Sequence, residues 1–292
     1  MKVGILGGSG LYALDALTGV TEKILETPFG PPSDAYVGGR IGENEVFFLP
    51  RHGRGHRLLP SEINHRANIF GFKMLGVERV LSVSAVGSLK EALRPRDIVL
   101  PDQYFDRTKK AMEHTFFGGG IVAHISFADP ACGELRDSVA EVARRVVACR
   151  KQEGNLRVHV GGTYVNMEGP AFSTRSEAAF HRAFGFDVIG MTSLAEAKLC
   201  REAEMCYQAI SMVTDYDCWH ETEEAVSVDL LIENLKANTE LAQEIILEIV
   251  PSLKPAASCS CGQTLSRAIL TRLDAAPKEA IRRLAPIIGR YV

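Results

Sequence analysis

The sequence predicts an α/β protein in which a β-sheet is flanked by helices. Strand-like apolar runs alternate with helical patterns, and strand after strand ends in glycine or polar residues. The third indication is scale. The chain has 292 residues, 46% hydrophobic and 24% charged, which supplies the core of one large domain. No internal repeat, low-complexity tract or linker interrupts residues 1–253. They are expected to form a single domain, with 254–292 as its C-terminal helical extension.

The elements follow in order. Val3–Leu6 is a short apolar run that meets Gly7-Gly8-Ser9-Gly10, a strand entering a tight turn. Glu45–Pro50 reads as a strand ending at Arg51-His52-Gly53, and Asn64–Leu75 has helical spacing that stops at Gly76. Val80–Ala85 and Ile98–Leu100 are strand-like, the second closed by Pro101. A helix is predicted over Leu135–Cys149, a strand over Val158–Asn166, a helix over Ser173–Phe184 and a strand over Val188–Met191. Leu194–Arg201 reads as a helix, Cys206–Val213 as a strand, and Val228–Leu253 as a long amphipathic helix.

The formal net charge of −3 and the lack of a basic run set aside a polyanion-coating role, so no nucleic-acid partner is expected. No stretch approaches the ~20 apolar residues that cross a bilayer, and no membrane partner is expected. The start Met1-Lys2-Val3-Gly4-Ile5-Leu6 lacks the pattern of a secretory signal, which makes the cytoplasm the expected location. Seven cysteines, at 132, 149, 200, 206, 218, 259 and 261, are too scattered for a small disulfide scaffold and read as reduced thiols.

Four strand ends carry the chemistry. Gly7-Gly8-Ser9-Gly10 fits neither the dinucleotide fingerprint nor the Walker pattern. Its amides and the Ser9 hydroxyl suit an oxyanion, and a plain tight turn fits equally well. Arg51 offers a two-pronged fork for phosphate and His52 a further hydrogen-bond donor, although an Arg-His pair is more often simply solvated. The His52…His56 spacing is discounted as a metal pair, because Gly53-Arg54-Gly55 opposes a helix and adds a cation. Ser82-Val83-Ser84-Ala85-Val86-Gly87-Ser88 has small side chains that leave room for a ligand, or for close helix–strand packing. Asp215 and Asp217 in Thr214-Asp215-Tyr216-Asp217 form a carboxylate pair. Such a pair accepts from an amine and holds a proton when buried, or else caps a helix or a solvated turn.

In this order these segments resemble the methylthioadenosine phosphorylase branch of the trimeric purine nucleoside phosphorylases. The resemblance also takes in Thr27-Pro28-Phe29-Gly30, Asp97-Ile98-Val99-Leu100-Pro101-Asp102-Gln103, Glu168-Gly169-Pro170-Ala171-Phe172-Ser173-Thr174-Arg175 and Cys218-Trp219. It spans roughly residues 3 to 250, far more than one motif. It implies a single α/β domain with a twisted mixed β-sheet flanked by helices, assembled as a homotrimer with sites at subunit boundaries.

The implied reaction is phosphorolysis of 5′-methylthioadenosine to adenine and 5-methylthioribose 1-phosphate, with phosphate as co-substrate and no cofactor or metal. The implied phosphate site is Ser9, Arg51, His52, Ser84, Ala85 and Thr192, where Ser9 keeps the hydroxyl that many members supply with Thr. Met191 would lie against the ribose, Phe172 against the purine with Ser173 nearby, and Val228 along the 5′ pocket. His124 matches a segment that reaches a neighbouring subunit's methylthio pocket, within surroundings that depart from the family pattern. Asp215 would donate a proton to purine N7 and Asp217 would receive the 6-amino group. Members preferring 6-oxopurines carry Asn at the first position, so Asp215 points to adenine.

Three alternatives stay open: a phosphorylase of methylthioinosine or of purine nucleosides such as adenosine and inosine, with 6-oxopurine or broad specificity; a nucleosidase using water; and a regulatory module without catalysis. Arg51-His52 speaks against the second, and the carboxylate pair goes unexplained in the third. Ser258-Cys259-Ser260-Cys261 resembles a Cys-Ser-Cys segment that accompanies disulfides in some archaeal relatives. Ring strain at that spacing and a reducing compartment favour two free thiols here.

Overall fold

Four parallel strands and their closing partners set the frame. Strand β1 (Lys2–Gly7) lies between β4 (Asn44–Pro50) and β5 (Arg79–Ser88), parallel to both. On the other edge of β5 runs β11 (Cys206–Asp215), again parallel, with Cys206 opposite Arg79 and Asp215 opposite Gly87. All four therefore point their carboxyl ends the same way, toward one rim of the sheet, where α/β folds place their sites. In this computed structural model the described residues are 1–8, 10–11, 16–150, 156–220, 228–256 and 259–292.

Among the described residues the sheet has eleven strands. Beyond β4 lie β3 (Tyr36–Ile41) and the exposed edge strand β2 (Thr18–Lys23), both antiparallel to their neighbours. Past the end of β5 come β10 (Val188–Gly190), β9 (Thr163–Met167) and β7 (Gln103–Arg107). Strands β6 (Ile98–Leu100) and β8 (Val158–Val160) extend from β11. The sheet is mixed, as the family resemblance implies.

Helices cover both faces. One core gathers Leu135, Val139 and Val146 of α2 (Gly133–Cys149) with Leu241, Ile245 and Ile249 of α5 (Val228–Ser252) against Ile5 and Phe48. The other gathers α1 (His65–Met74) and α4 (Ser193–Glu202) with Leu265, Leu284 and Ile287 of the tail. Between α1 and α4 in chain order, α3 (Arg175–Ala183) starts at a capping box in which Thr174 and Glu177 satisfy each other's amides. The tail, including α6 (Lys278–Arg283) and α7 (Ala285–Ile288), is thus packed into the main core.

Some expectations are corrected. The single strand expected over Val158–Asn166 is two, because Gly161 and Gly162 both adopt positive φ and turn the chain between β8 and β9. Strands β2, β3 and β7 escaped the sequence reading. β2 is exposed throughout and holds a single large apolar side chain, Val20, so it carries no apolar alternation to detect.

Candidate active site

The parallel register brings the predicted strand ends together. Arg51 follows β4 and donates its backbone N–H to the Gly7 carbonyl at 3.0 Å, so the two loops start side by side. Within β5, Ser84 is buried and Ala85 beside it is exposed. Thr192 sits at the N-cap of α4, whose N-terminal amides and dipole favour an anion. Ser9 lies outside the described residues, as does the side chain of Val228.

Met191, next to Gly190, lines a cleft. Gly190 is required there, because a Cβ would stand 1.9 Å from the Tyr164 hydroxyl. Gly169 has φ +67° and a Cβ on it would meet the Met191 sulfur at 2.6 Å, so the Glu168-Gly169-Pro170 turn can press against Met191 only with glycine. His65, Asn166 and Glu168 share the same cleft.

Arg51 differs from the expectation of a fork held ready for phosphate. Its guanidinium is buried, with Nε donating to Glu196, Nη2 to the Ser82 hydroxyl at 2.7 Å and to Glu196 Oε2 at 3.3 Å, and Nη1 to the Val83 carbonyl at 3.1 Å. Glu196 also accepts from the Ser82 hydroxyl at 2.6 Å and from Tyr207 at 3.0 Å. The Tyr207 and Ser193 hydroxyls are 2.8 Å apart, and Ser193 continues at 2.8 Å to the Tyr104 hydroxyl. Burial works to raise the Glu196 pKa, but the adjacent Arg51 outweighs it and holds the carboxyl below its ordinary value. The sequence reading missed this network. Its one visible signal is a lone charge within Leu194-Ala195-Glu196-Ala197.

His52 is also corrected. Nδ1 lies 2.8 Å from the Leu58 carbonyl, which can only accept, so that nitrogen carries the proton. Burial lowers the ring's pKa to about 4, and at neutral pH Nε2 therefore offers a lone pair rather than a donor. The ring stacks on His56 at 4.3 Å.

The carboxylate pair is shaped by a bulge. The β11–β5 register shifts between Val213 and Asp215, which re-aims the end of the strand. Two buried asparagines one turn apart on α5 serve the bulged backbone: Asn234 donates to the Thr214 carbonyl at 3.1 Å and Asn238 to the Val213 carbonyl at 3.0 Å. Asp215 Oδ1 accepts from the Asp217 amide at 2.8 Å and Oδ2 from the Thr214 hydroxyl at 2.7 Å. Asp217 adopts φ +53°, and its Oδ2 is buried without a hydrogen-bond partner among the described residues. Burial raises its pKa, Ser173 works against that, and the Asp215 charge adds to it.

Phe172 is 81% exposed, an open lip rather than a wall within one chain. The structure does not bring His124 to this group. It is exposed, and its amide donates to Ala268 of the tail at 2.9 Å.

Residues 2–251 match the profile of the phosphorylase superfamily. The chain belongs to that superfamily. An S-methyl-5′-thioadenosine phosphorylase of Gloeobacter violaceus is 54% identical, over 99% of this chain and 96% of that one. One from Koribacter versatilis is 52% identical, with 99% and 96% covered. Among solved structures, a methylthioadenosine phosphorylase from an antarctic soil metagenomic library matches with a TM-score of 0.91 and 45% identity, covering 98% of each chain. A methylthioadenosine phosphorylase from Schistosoma mansoni in complex with adenine gives 0.81 and 34%, with 99% of this superfamily member and 98% of that chain covered. No helix among the described residues is long and apolar enough to cross a membrane.

Proposed function

We propose that this phosphorylase cleaves S-methyl-5′-thioadenosine with phosphate, releasing adenine and 5-methylthioribose 1-phosphate. The observation that carries the reading is the Asp215–Asp217 pair at the bulged end of β11, on the rim to which β4 and β5 also bring their carboxyl ends. Relatives about half identical over nearly the whole chain bear the corresponding name. Phosphate is the co-substrate and no metal or redox cofactor is needed, because the chemistry is charge and proton management.

Phosphate would sit between the Gly7–Gly10 loop, Ser84, Ala85 and the α4 N-terminus at Thr192, with Arg51 supplying positive potential from beneath. His52 Nε2 accepts the proton of a phosphate hydroxyl, which selects a protonated oxyanion and leaves the other oxygens free to face the anomeric carbon. As the glycosidic bond breaks, the ribose gains positive charge that the phosphate stabilises, and the purine gains negative charge. Proton transfer to N7 turns the departing base neutral. The orphaned, buried Oδ2 supports Asp217 as the resting place of that proton. Both Asp215 oxygens already accept fixed donors, which suits it to the 6-amino group. These roles reverse the sequence expectation. Met191 and Phe172, with Ser173, would bracket the sugar and base, Val228 would line the 5′ pocket, and His124 would complete that pocket in a neighbouring subunit of a homotrimer. A cytoplasmic location goes with this reading.

The test is release of the free base, adenine from methylthioadenosine and adenosine and hypoxanthine from methylthioinosine and inosine, each with and without phosphate. The proposal requires phosphate dependence and a preference for the 6-aminopurine. Adenosine is a credible second substrate, since a 36% identical structure is of an adenosine/methylthioadenosine phosphorylase. Hydrolysis without phosphate would overturn the reading.

A further inference from the structure

Far from the catalytic rim, the fold gathers four cysteines that the sequence keeps apart. The sulfurs of Cys132, Cys206, Cys259 and Cys261 all lie within 4.8 Å of one another, and the Cys132 and Cys259 sulfurs are 3.5 Å apart. Cys132 is the N-cap of α2, Cys206 opens β11, and the other two belong to the tail segment that begins the 3-10 turns at 260. We propose that these four side chains bind one zinc ion in a tetrahedral all-thiolate site that ties the C-terminal tail to the base of the sheet.

The geometry asks for little movement. A tetrahedral zinc with Zn–S bonds of ~2.3 Å places its sulfurs about 3.8 Å apart, so the cluster need contract by only about 1 Å at its widest. Four thiolates and no oxygen or imidazole ligand match zinc better than the harder cations. In binding, each thiol gives up its proton to solvent, so one Zn²⁺ displaces four protons and the site carries a net charge of two minus.

That charge has a counterpart in place. Arg79 pairs in register with Cys206 on the neighbouring strand and is 1% exposed. Its Nε donates to the Lys254 carbonyl and its Nη2 to Glu134, while Nη1 is buried without a hydrogen-bond partner among the described residues. Glu134 already pairs the Arg79 charge, and what a thiolate site would satisfy is the buried Nη1 left idle on this guanidinium. Cys132, at the start of a 17-residue helix, is further favoured as a thiolate by the helix dipole. A cleft lined by Glu78, Glu204, Cys259 and Arg290 provides a route in from solvent.

The site's role would be structural. Cys206 and Asp215 sit at opposite ends of a ten-residue strand, and at ~3.3 Å per residue the ion would lie roughly 30 Å from the carboxylate pair. Two disulfides would be the competing fate of four crowded sulfurs.

The test uses the full chain expressed in zinc-supplemented medium, with zinc counted by elemental analysis after gel filtration. About one zinc per chain is expected, surviving dialysis against a weak chelator. Cys259→Ser should lose it, and Cys149→Ser, an exposed cysteine outside the cluster, should keep it. Strong chelation of the wild type should lower its Tm and leave kcat unchanged at temperatures where it stays folded. Reconstitution with Co²⁺ alone should give the visible bands of tetrahedral cobalt–thiolate, a readout independent of any variant's folding. Zinc at trace level with no cobalt spectrum overturns the proposal, whether the thiols then label freely or intact mass shows the loss of two hydrogens per disulfide.

Discussion

The Arg51 guanidinium rests on the Glu196 carboxylate beneath the proposed phosphate site, with the two side chains 3% and 1% exposed and Nη2 3.3 Å from Oε2. Glu196 stands in the first turn of α4 and Arg51 just after β4, so the pair locks a helix N-terminus to a strand end. A cation so neutralised keeps only part of its field for a ligand. Its first duty is to hold the rim in shape.

Arg51→Ala is therefore expected to destabilise the protein by about 3–5 kcal/mol, because it strands the Glu196 charge in the interior. This departs from a fork held ready for phosphate, whose loss would weaken phosphate binding alone. Urea denaturation of the variant measures it. A wild-type midpoint with only the phosphate KM raised would show that the ion pair contributes little.

His52 should remain a neutral ring, protonated on Nδ1, down to about pH 4. Nitrogen-15 NMR of the labelled histidines would show a single tautomer near neutrality with no titration around pH 6.5. Sulfate, which has no proton to give Nε2, should compete with phosphate at least about tenfold more weakly than its size and charge suggest, since a mismatched buried acceptor costs about 1–3 kcal/mol. His52→Gln, whose amide can donate, should narrow that gap. Equal sulfate and phosphate affinity in the wild type would remove the acceptor role.

For the carboxylate pair, Asp217→Asn should lower kcat/KM for methylthioadenosine by on the order of 10²-fold through loss of the proton donor, while Asp215→Asn should shift the substrate ratio toward methylthioinosine. If the proton rests on Asp217, kcat/KM falls as pH rises through that residue's raised pKa, and Asp217→Asn abolishes this limb while Asp215→Asn retains it. The opposite pattern would return the donor role to Asp215.

Truncating Asn234 to Ala should relax the Asp215 bulge, because the Thr214 carbonyl loses its buried donor. A stability loss of about 1–3 kcal/mol with a larger fall in kcat than in folding stability is expected. Unchanged kcat in a folded variant would mean that the bulge is held without α5.

Glu202 gives a pH signature remote from catalysis. It is 6% exposed, and burial pushes its pKa from 4.5 to about 7 although Thr115 and the Phe116 amide donate to it. A raised carboxyl stabilises the folded state fully below its unfolded pKa. That contribution is lost as pH rises from about 4.5 through about 7, roughly 3 kcal/mol in all. Glu202→Gln should flatten the stability curve over this window. An equally steep curve in that variant would place the titration elsewhere.

Much of the fold was legible because local signals and global structure agree. β6 and β11 are apolar runs bounded by breakers, and α2 and α5 carry helical periodicity along their buried faces. The edge strand β2 was not legible: it buries nothing and is held by pairing alone. The candidate site was legible at its backbone turns and its carboxylate pair, where residue type declares chemistry. Glu196, Tyr207 and Asn234 were not, because each acts through a partner that no spacing rule connects to it.

By itself, then, the sequence determined the alternation of strands and helices, the polar strand ends and the residues offered there, since these follow from short-range periodicity and side-chain chemistry. Only the tertiary structure decided which charges are neutralised and which groups are left waiting. Arg51 is committed to Glu196, His52 spends its Nδ1 proton on Leu58, and Asp217 keeps an oxygen unpaired among the described residues. Cys132, Cys206, Cys259 and Cys261, spread over 130 residues of chain, become one cluster. The physical reason is that desolvation and hydrogen-bond satisfaction depend on what packs across the sheet from a residue, and packing partners distant in sequence are set by the fold as a whole.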